Sequence, residues 1–212
     1  MTITWYGHSC FRLENKESSI LIDPFSAEIG LRPPKIKDNI VLITHQHYDH
    51  NNIEGLPQES FLAKGPGEYE VKGVSIRGIQ SFHDKNQGRE RGLNTIYIVN
   101  MEDLTLAHLG DFGEEKLSEE QVEKIGDVDI LMIPVGGVYT INYKEAVEVI
   151  HQIEPKIVIP MHYKIEGLKV DIDGPEKFLK EMSLTPEKIE KSYKIQNKNL
   201  PVEEMKLVLF QI

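Results

Sequence analysis

Three histidines and one aspartate are concentrated in a six-residue pattern, His-x-His-x-Asp-His, early in the chain. The four side chains are His45, His47, Asp49 and His50. Imidazole nitrogen and carboxylate oxygen suit zinc and its first-row neighbours, and neutral histidine is the commonest metal ligand. A mostly apolar run, residues 39–43, precedes the pattern, so a strand would deliver the four groups to its carboxyl end. The alternative is a polar surface turn, but without a cation this crowding would desolvate polar groups with little compensation.

Further ligand-type residues stand at the ends of other strand-like runs. They are His83, Asp111 and His162. Because each proposed ligand follows such a run, strands can bring these groups together at one edge from distant parts of the sequence. The ordered set is more specific than any single motif.

This ordered set resembles the signature of the metallo-β-lactamase superfamily, from residue 5 to residue 162 or beyond. Within it, four segments resemble the small, stand-alone Zn-dependent hydrolases of that fold, which are related to L-ascorbate-6-phosphate lactonase and N-acyl-phosphatidylethanolamine phospholipase D. The segments are Trp5–Cys10, His108–Asp111, Pro134–Gly137 and Ile159–Tyr163.

The resemblance implies a binuclear metal centre. The implied ligands are His45, His47 and His83 for the first ion, Asp49, His50 and His162 for the second, and Asp111 as the bridge. Two divalent ions are expected, zinc first, with Mn, Fe or Ni as alternatives. They would lie roughly 3.5–4 Å apart with a hydroxide between them. Asp49 would orient that hydroxide or accept its proton.

The resemblance also implies an αββα four-layer sandwich, an α/β (α+β) fold in which helices flank two β-sheets. The element pattern agrees, because strand-like runs come first and helices alternate with the later ones. We expect one domain over residues 1–212. Residues 25–38 are expected to form a loop, and residues 182–204 show no assignable pattern. The strand-like runs are Thr2–Tyr6, Ser9–Glu14, Ser18–Asp23, Val71–Ile79, Thr95–Val99, Leu104–Ala107, Ile130–Ile133, Ile157–Ile159 and Lys206–Phe210.

Three helices are predicted from their start signals. Ser118 and Gln121 form a capping box for a short first helix. Asn142 and Glu145 begin the second, whose apolar residues recur at helical spacing. Pro175 begins the third, since proline is favoured in the first turn of a helix.

Two histidines outside the ligand set have competing interpretations. His108 precedes Asp111 by three residues, so along an extended strand it faces the opposite side. We favour a packed or ligand-orienting role, and we retain His108, with Asp49, as a candidate catalytic residue that could protonate the leaving group. His8 would either line the pocket rim or form a structural hydrogen bond to a nearby strand or to Asp23.

Other residues have plainer expectations. Asp23 ends an apolar strand and precedes a proline, which favours a turn cap. Gly136 and Gly137 permit close approach of the backbone to metal or substrate, although a plain turn explains them too. We expect His151 to be exposed and without function. Cys10 is expected to pack as an apolar residue rather than act as a nucleophile.

The composition limits partners and location. Twenty-four basic and 34 acidic residues give a net charge of −10, which disfavours nucleic acid as a partner. The single cysteine excludes an intramolecular disulfide framework. No apolar run approaches the ~20 residues of a membrane span, and no secretory signal pattern begins the chain. We therefore expect a cytoplasmic protein that acts on a small molecule without membrane contact, and a homo-oligomer is left open.

The expected function is that of a binuclear metal-dependent hydrolase using a metal-bridging hydroxide. A phosphate ester, phosphodiester or lactone of a small metabolite is the leading substrate class. The alternative is a non-catalytic, metal-dependent ligand-binding or sensor protein of the same fold, and a nucleic-acid phosphodiesterase is less favoured. Since a fold hosts many activities, the resemblance does not fix the substrate.

Overall fold

Two β-sheets packed face to face form the centre of the protein in the computed structural model, which describes residues 1–211. The strands are β1 (Thr2–Trp5), β2 (Phe11–Glu14), β3 (Ser19–Ile22), β4 (Ile40–Leu42), β5 (Phe61–Ala63), β6 (Gly67–Val71), β7 (Val74–Phe82), β8 (Leu93–Met101), β9 (Leu104–His108), β10 (Ile130–Pro134), β11 (Ile157–Met161), β12 (Glu187–Ile189), β13 (Ser192–Lys194) and β14 (Lys206–Phe210). The first sheet has the order β13-β1-β2-β3-β4-β5, and the second has the order β12-β14-β11-β10-β9-β8-β7-β6.

Alternation along the strands of the first sheet decides which side chains lie between the sheets. In β3, Ile20 and Ile22 join the core shared with the second sheet, whereas Leu21 joins a separate cluster on the outer face. This is the two-residue period of a strand. In the second sheet, β10 and β11 are buried at every position, as expected for parallel strands covered on both faces.

The outer face of the first sheet is covered by irregular chain and a short 3-10 turn, Ala27–Ile29. Ile29 packs there with Leu168, Val170 and Ile172. The predicted loop over residues 25–38 is therefore confirmed, and it provides part of this outer layer.

Three α-helices accompany the second half of the chain. They are α1 (Glu119–Ile125), α2 (Tyr143–Ile153) and α3 (Glu176–Met182). The predicted capping boxes of Ser118 with Gln121 and of Asn142 with Glu145 are both present, and Pro175 precedes α3. Among residues 1–211, no helix is long and apolar enough to cross a membrane. Two mixed sheets with flanking helices confirm the predicted fold class.

The run Val71–Ile79, predicted as one strand, contains a hairpin turn. Lys72 and Gly73 have φ of 49° and 74°, and they reverse the chain between β6 and β7. Two central residues with positive φ are typical of a tight hairpin turn, and lysine does not signal that conformation. The prediction of a continuous strand was wrong at this point.

Residues 182–204, which the sequence did not assign, connect the two sheets. Strand β12 pairs with β14 of the second sheet, and β13 pairs with β1 of the first. Each of these strands has three residues and is mostly exposed, so no apolar alternation could reveal it.

Candidate metal centre

The His-x-His-x-Asp-His segment begins just beyond the carboxyl end of β4. The Tyr97 hydroxyl, from the second sheet, donates to the carbonyl oxygen of Ile43 at 3.1 Å and accepts the Gly65 N–H at 3.0 Å. The Thr95 N–H donates to the carbonyl oxygen of Thr44 at 2.9 Å. These bonds fix the start of the segment against the second sheet.

Asp111 lies at the centre of a ring of histidines. Its Oδ2 is 3.2 Å from Nε2 of both His83 and His162, and 3.8 Å from Nε2 of His45. Its Oδ1 is 3.3 Å from Nε2 of His50. All five side chains are buried, although the sequence spreads them over most of the chain. The expected convergence of strand-end residues is therefore present.

Asn94 and Gly110 hold Asp111 in this position beyond the end of β9. Asn94 Oδ1 accepts the Asp111 N–H at 3.0 Å, and the Asn94 amide donates to the Leu109 carbonyl at 2.8 Å. Gly110 has φ of 56°, and a Cβ there would lie 2.3 Å from Asn94 Oδ1 and 2.7 Å from Thr44 Cβ. Only glycine fits this close approach, which explains the Gly-Asp pair in the sequence.

Among residues 1–211, three groups of side chains could each hold a metal ion: Asp23 with His45 and His50, and two clusters made of histidines alone. Within each cluster the ligand atoms lie within 4.8 Å of one another. The members are His45, His47 and His83 in the first cluster, and His8, His50 and His162 in the second. The first cluster is the set that the resemblance implies for one ion. The second contains His8 where the implied set has Asp49.

Several buried polar atoms in these clusters have no hydrogen-bond partner among residues 1–211. They are Nε2 of His45 and His50, Nδ1 of His8, His83 and His162, and Oδ1 of Asp111. Burying unpaired polar atoms is unfavourable, and imidazole nitrogen with carboxylate oxygen is a donor set for divalent first-row metals. The residues present therefore fit a metal centre.

Asp23 orients two of these rings. It accepts hydrogen bonds from the Thr44 N–H at 2.8 Å and the Thr44 hydroxyl at 2.7 Å, and Nδ1 of His50 lies 2.9 Å from its Oδ2. Since the Thr44 hydroxyl gives its proton to Asp23, it accepts one from Nδ1 of His45 at 2.9 Å. Both rings are thereby held with Nε2 towards Asp111, a common way to orient metal-binding histidines. A turn cap was the predicted role of Asp23, and no local pattern indicates its contacts with Thr44 and His50, which are distant in sequence.

His8 is fully buried beside Asp49. Its Nε2 lies 3.0 Å from Asp49 Oδ2, and its ring centroid lies 4.3 Å from that of His162. Its backbone has φ of 54°, and its carbonyl oxygen accepts the His162 N–H and the Trp5 indole N–H. Both expectations for this side chain were wrong, since it neither lines the rim nor bonds a strand or Asp23. The only sequence signal was its place in the segment Trp5–Cys10.

Burial and neighbouring charges set the protonation of the centre. Burial and the nearby His162 lower the pKa of His8 to about 4, so the neutral ring donates to the Asp49 carboxylate. Burial acts to raise the pKa of Asp49, but the His8 hydrogen bond and the charge of His50 outweigh it and hold that pKa below its usual range. His162 and His50 likewise outweigh burial and keep the pKa of Asp111 well below its usual range. Both carboxylates are charged.

His108 is buried, and backbone groups occupy both of its ring nitrogens. Nε2 lies 2.9 Å from the carbonyl oxygen of Ser9, and Nδ1 accepts the Gly110 N–H at 3.1 Å. Its ring also meets Phe11 edge-on, with centroids 5.9 Å apart. This geometry favours the packed role over the catalytic one, because neither nitrogen is free to donate a proton to a substrate.

The structure also shows the positions of the residues for which no catalytic role was expected. His151 is exposed on α2, and Cys10 is buried in the outer cluster of the first sheet. Gly136 does permit a close backbone approach, but the neighbour is the backbone of His162, whose carbonyl oxygen would lie 2.2 Å from a Cβ. Gly136 therefore helps to position a proposed ligand.

A cavity of about 510 Å³ opens over Asp111. Its wall continues outward from the metal centre to Tyr48, Arg91, Tyr139 and Lys169. A pocket of this size suits a small molecule, and it is the route by which a substrate could reach the buried carboxylates.

Comparisons with known proteins agree with this geometry. The sequence profile of the β-lactamase superfamily domain matches residues 2–162. The chain belongs to the metallo-β-lactamase superfamily. A metal-dependent hydrolase of Thermoplasma volcanium is 34% identical over 199 residues, which cover 80% of this chain and 86% of that protein. A metal-dependent hydrolase of Pyrococcus horikoshii is 30% identical over 189 residues, covering 76% of this chain and 84% of that protein.

A solved structure extends the similarity to the whole fold. It is a Thermotoga maritima protein assigned to the Zn-dependent hydrolases of the metallo-β-lactamase superfamily. The two structures have a TM-score of 0.82 at 35% identity, over 99% of this chain and 97% of that one. The predicted resemblance to stand-alone members of the superfamily is confirmed, and this protein is one of its metal-dependent hydrolases.

Proposed function

We propose that this metallo-β-lactamase-superfamily protein is a binuclear hydrolase of small-molecule phosphate esters, phosphodiesters or lactones. The observation that carries the proposal is the convergence of two histidine clusters on the single buried carboxylate of Asp111, beneath an open cavity. Two clusters that share no member match two ions better than one, since a single tetrahedral site uses only four ligands. The cavity volume favours a small-molecule substrate over a polymer.

Seven side chains would hold the two ions, with zinc the leading metal. They are His45, His47 and His83 for one ion, Asp49, His50 and His162 for the other, and Asp111 between them. When bound, such ions would lower the pKa of water to about 7 and polarise the phosphoryl or carbonyl oxygen of the substrate. His8 is the additional member of the second cluster, and it can hold Asp49 in place.

Asp49 is the residue best placed to orient an attacking water. His8 donates to its Oδ2, and no hydrogen bond from residues 1–211 occupies its Oδ1. The side chain lines the cavity. Its free oxygen can therefore bind a cation, or accept a hydrogen bond from an attacking water and so orient it.

The test is the substitution Asp111→Asn, assayed on zinc-loaded protein with bis(p-nitrophenyl) phosphate and a small lactone. We expect hydrolysis to be lost and bound metal to fall from two ions to one or none, because a neutral amide bridges two cations poorly. His151→Ala, an exposed change on α2, is the matched control and should keep wild-type rate and metal content.

Two results would overturn the proposal. Equal losses from the two substitutions would show that Asp111 is not the centre of the site. Tight binding of the same probes by wild-type protein without any turnover would favour a sensor of the same fold.

A further inference from the structure

Large apolar side chains are exposed around the mouth of the metal-centre cavity. Residues 1–211 contain five large hydrophobic side chains that are exposed, and three of them line this cavity or the one beside it. Tyr48 and Tyr139 line the cavity at 59% and 40% exposure, Val138 adjoins Tyr139, and Leu93 lines a neighbouring cavity. Clustered exposed apolar surface marks a binding site more often than chance. The mouth is therefore suited to an apolar part of a ligand.

Two cations share this mouth in a protein whose net charge is −10. Arg91 and Lys169 line the cavity, against the single outer carboxylate of Asp171. The guanidinium carbon of Arg91 lies 5.7 Å from the ring centroid of Tyr139. Its nearest carboxylate is Glu90 at 3.8 Å, which is longer than a hydrogen bond, so its donors remain available.

The loop that carries Arg91 is held rigidly by Asp84, the neighbour of His83. The buried Asp84 carboxylate accepts backbone N–H groups from Asn86, Gly88, Glu90 and Arg91, at 2.8, 2.9, 3.0 and 2.8 Å. A guanidinium on such a fixed loop needs little ordering when it binds a ligand.

Arg91 also lies between two cavities. The second, of about 320 Å³, shares His47 and Arg91 with the first and extends to Lys64 and Leu93. An elongated molecule could therefore extend from one cavity into the other, with Arg91 between them.

We propose that Arg91 and Tyr139 form a recognition subsite for an organic phosphate that carries an apolar or aromatic group. Arg91 donates to the phosphoryl oxygens with the planar fork that suits such anions, and Tyr139 with Tyr48 packs against the apolar group. This inference rests on the proposed function, because that function places the phosphoryl group over the metal centre.

The first experiment measures binding without turnover. Zinc-loaded protein is titrated with phenylphosphonate and with methylphosphonate by calorimetry. Arg91→Gln should weaken both ligands on the order of 10- to 100-fold, as expected for loss of a charged hydrogen bond. Tyr139→Ala should remove the preference of wild-type protein for phenylphosphonate. Arg89→Gln is the matched control, since Arg89 is an exposed residue of the same loop that does not line the cavity, and it should bind like wild type.

Bound zinc is measured for every variant, so that a change in affinity is read only at equal metal content. Equal affinity of Arg91→Gln and Arg89→Gln would overturn the subsite, as would wild-type protein that does not distinguish the two phosphonates.

The second experiment separates this inference from the proposed function. With bis(p-nitrophenyl) phosphate as substrate, Arg91→Gln should raise KM at nearly constant kcat, whereas the control Arg89→Gln should leave both constants near wild type. Turnover with unaltered KM would refute the subsite and leave the hydrolase standing. Phosphonate binding that depends on Arg91, without turnover of any ester, would refute the hydrolase and leave the subsite standing.

Discussion

His108 illustrates how burial lowers the pKa of a single histidine. Burial is the main reason that its pKa lies below the ordinary value of 6.5, and its two backbone hydrogen bonds fit a neutral ring. As the pH falls below about 6.5, the unfolded chain takes up this proton before the folded protein does. The contribution of His108 to the free energy of unfolding is therefore present above that pH and lost below it.

We predict that His108→Gln lowers the free energy of unfolding by about 1–3 kcal/mol at pH 7.5, because buried backbone groups lose a partner. The difference from wild type should shrink at pH 5.5. Urea denaturation of both proteins in chelator measures it, since the metal-binding residues then titrate alike in both. His151→Gln should follow wild type at either pH. A difference that stays constant with pH would show that His108 is not held neutral.

Sequence could identify the ligand-type residues but not the residues that orient them. The seven histidines and aspartates of the motifs can be recognised by residue type and spacing, so the sequence predicted that they would lie close together. His8 and Asp23 act through contacts made across the fold, to Asp49 and to His50. The backbone at His8 is left-handed, and although histidine adopts that conformation more often than most residues, its presence alone does not indicate which histidine will do so.

At the scale of elements, helix α1 offers a clean test of local stabilisation. The Ser118 hydroxyl accepts the Gln121 N–H, and the Gln121 side chain accepts the Ser118 N–H in return. We predict that Ser118→Ala lowers the free energy of unfolding by about 1 kcal/mol and the thermal midpoint by roughly 2–4 °C. Ser192→Ala, on the exposed edge strand β13, should change stability by less than about 0.5 kcal/mol. Indistinguishable unfolding curves for the two variants would contradict the capping role.

The elements that the sequence could predict are those stabilised by local contacts. Helices α1 and α2 carry their start signals within four residues, and β10 and β11 are continuous apolar runs. Strand β5 has three residues and exists because β4 lies beside it. Strands β12 and β13 likewise depend on partners from distant parts of the chain. Local patterns cannot report pairings that only the assembled sheets create.

For the whole molecule, metal and stability are linked. Ions that bind the folded protein and not the unfolded chain stabilise it by mass action. We predict that free zinc at 1,000 times its dissociation constant raises the free energy of unfolding by about 4 kcal/mol for each ion bound, relative to chelated protein. Denaturation in zinc buffers of stepped concentration measures this. The Asp111→Asn protein should show a much smaller rise, and an equal rise in both would place the stabilising ion elsewhere.

The proposed ligands come from both sheets, and this has a consequence for when metal can bind during folding. His8 and the His-x-His-x-Asp-His segment belong to the first sheet, whereas His83, Asp111 and His162 follow strands of the second. No part of the chain holds the full set until the two sheets have docked in the correct register. We therefore expect metal to bind late in folding, because the first sheet alone presents four of the seven proposed ligands and the second sheet presents three. The metal content that remains after dialysis would therefore distinguish correctly folded molecules from misfolded ones.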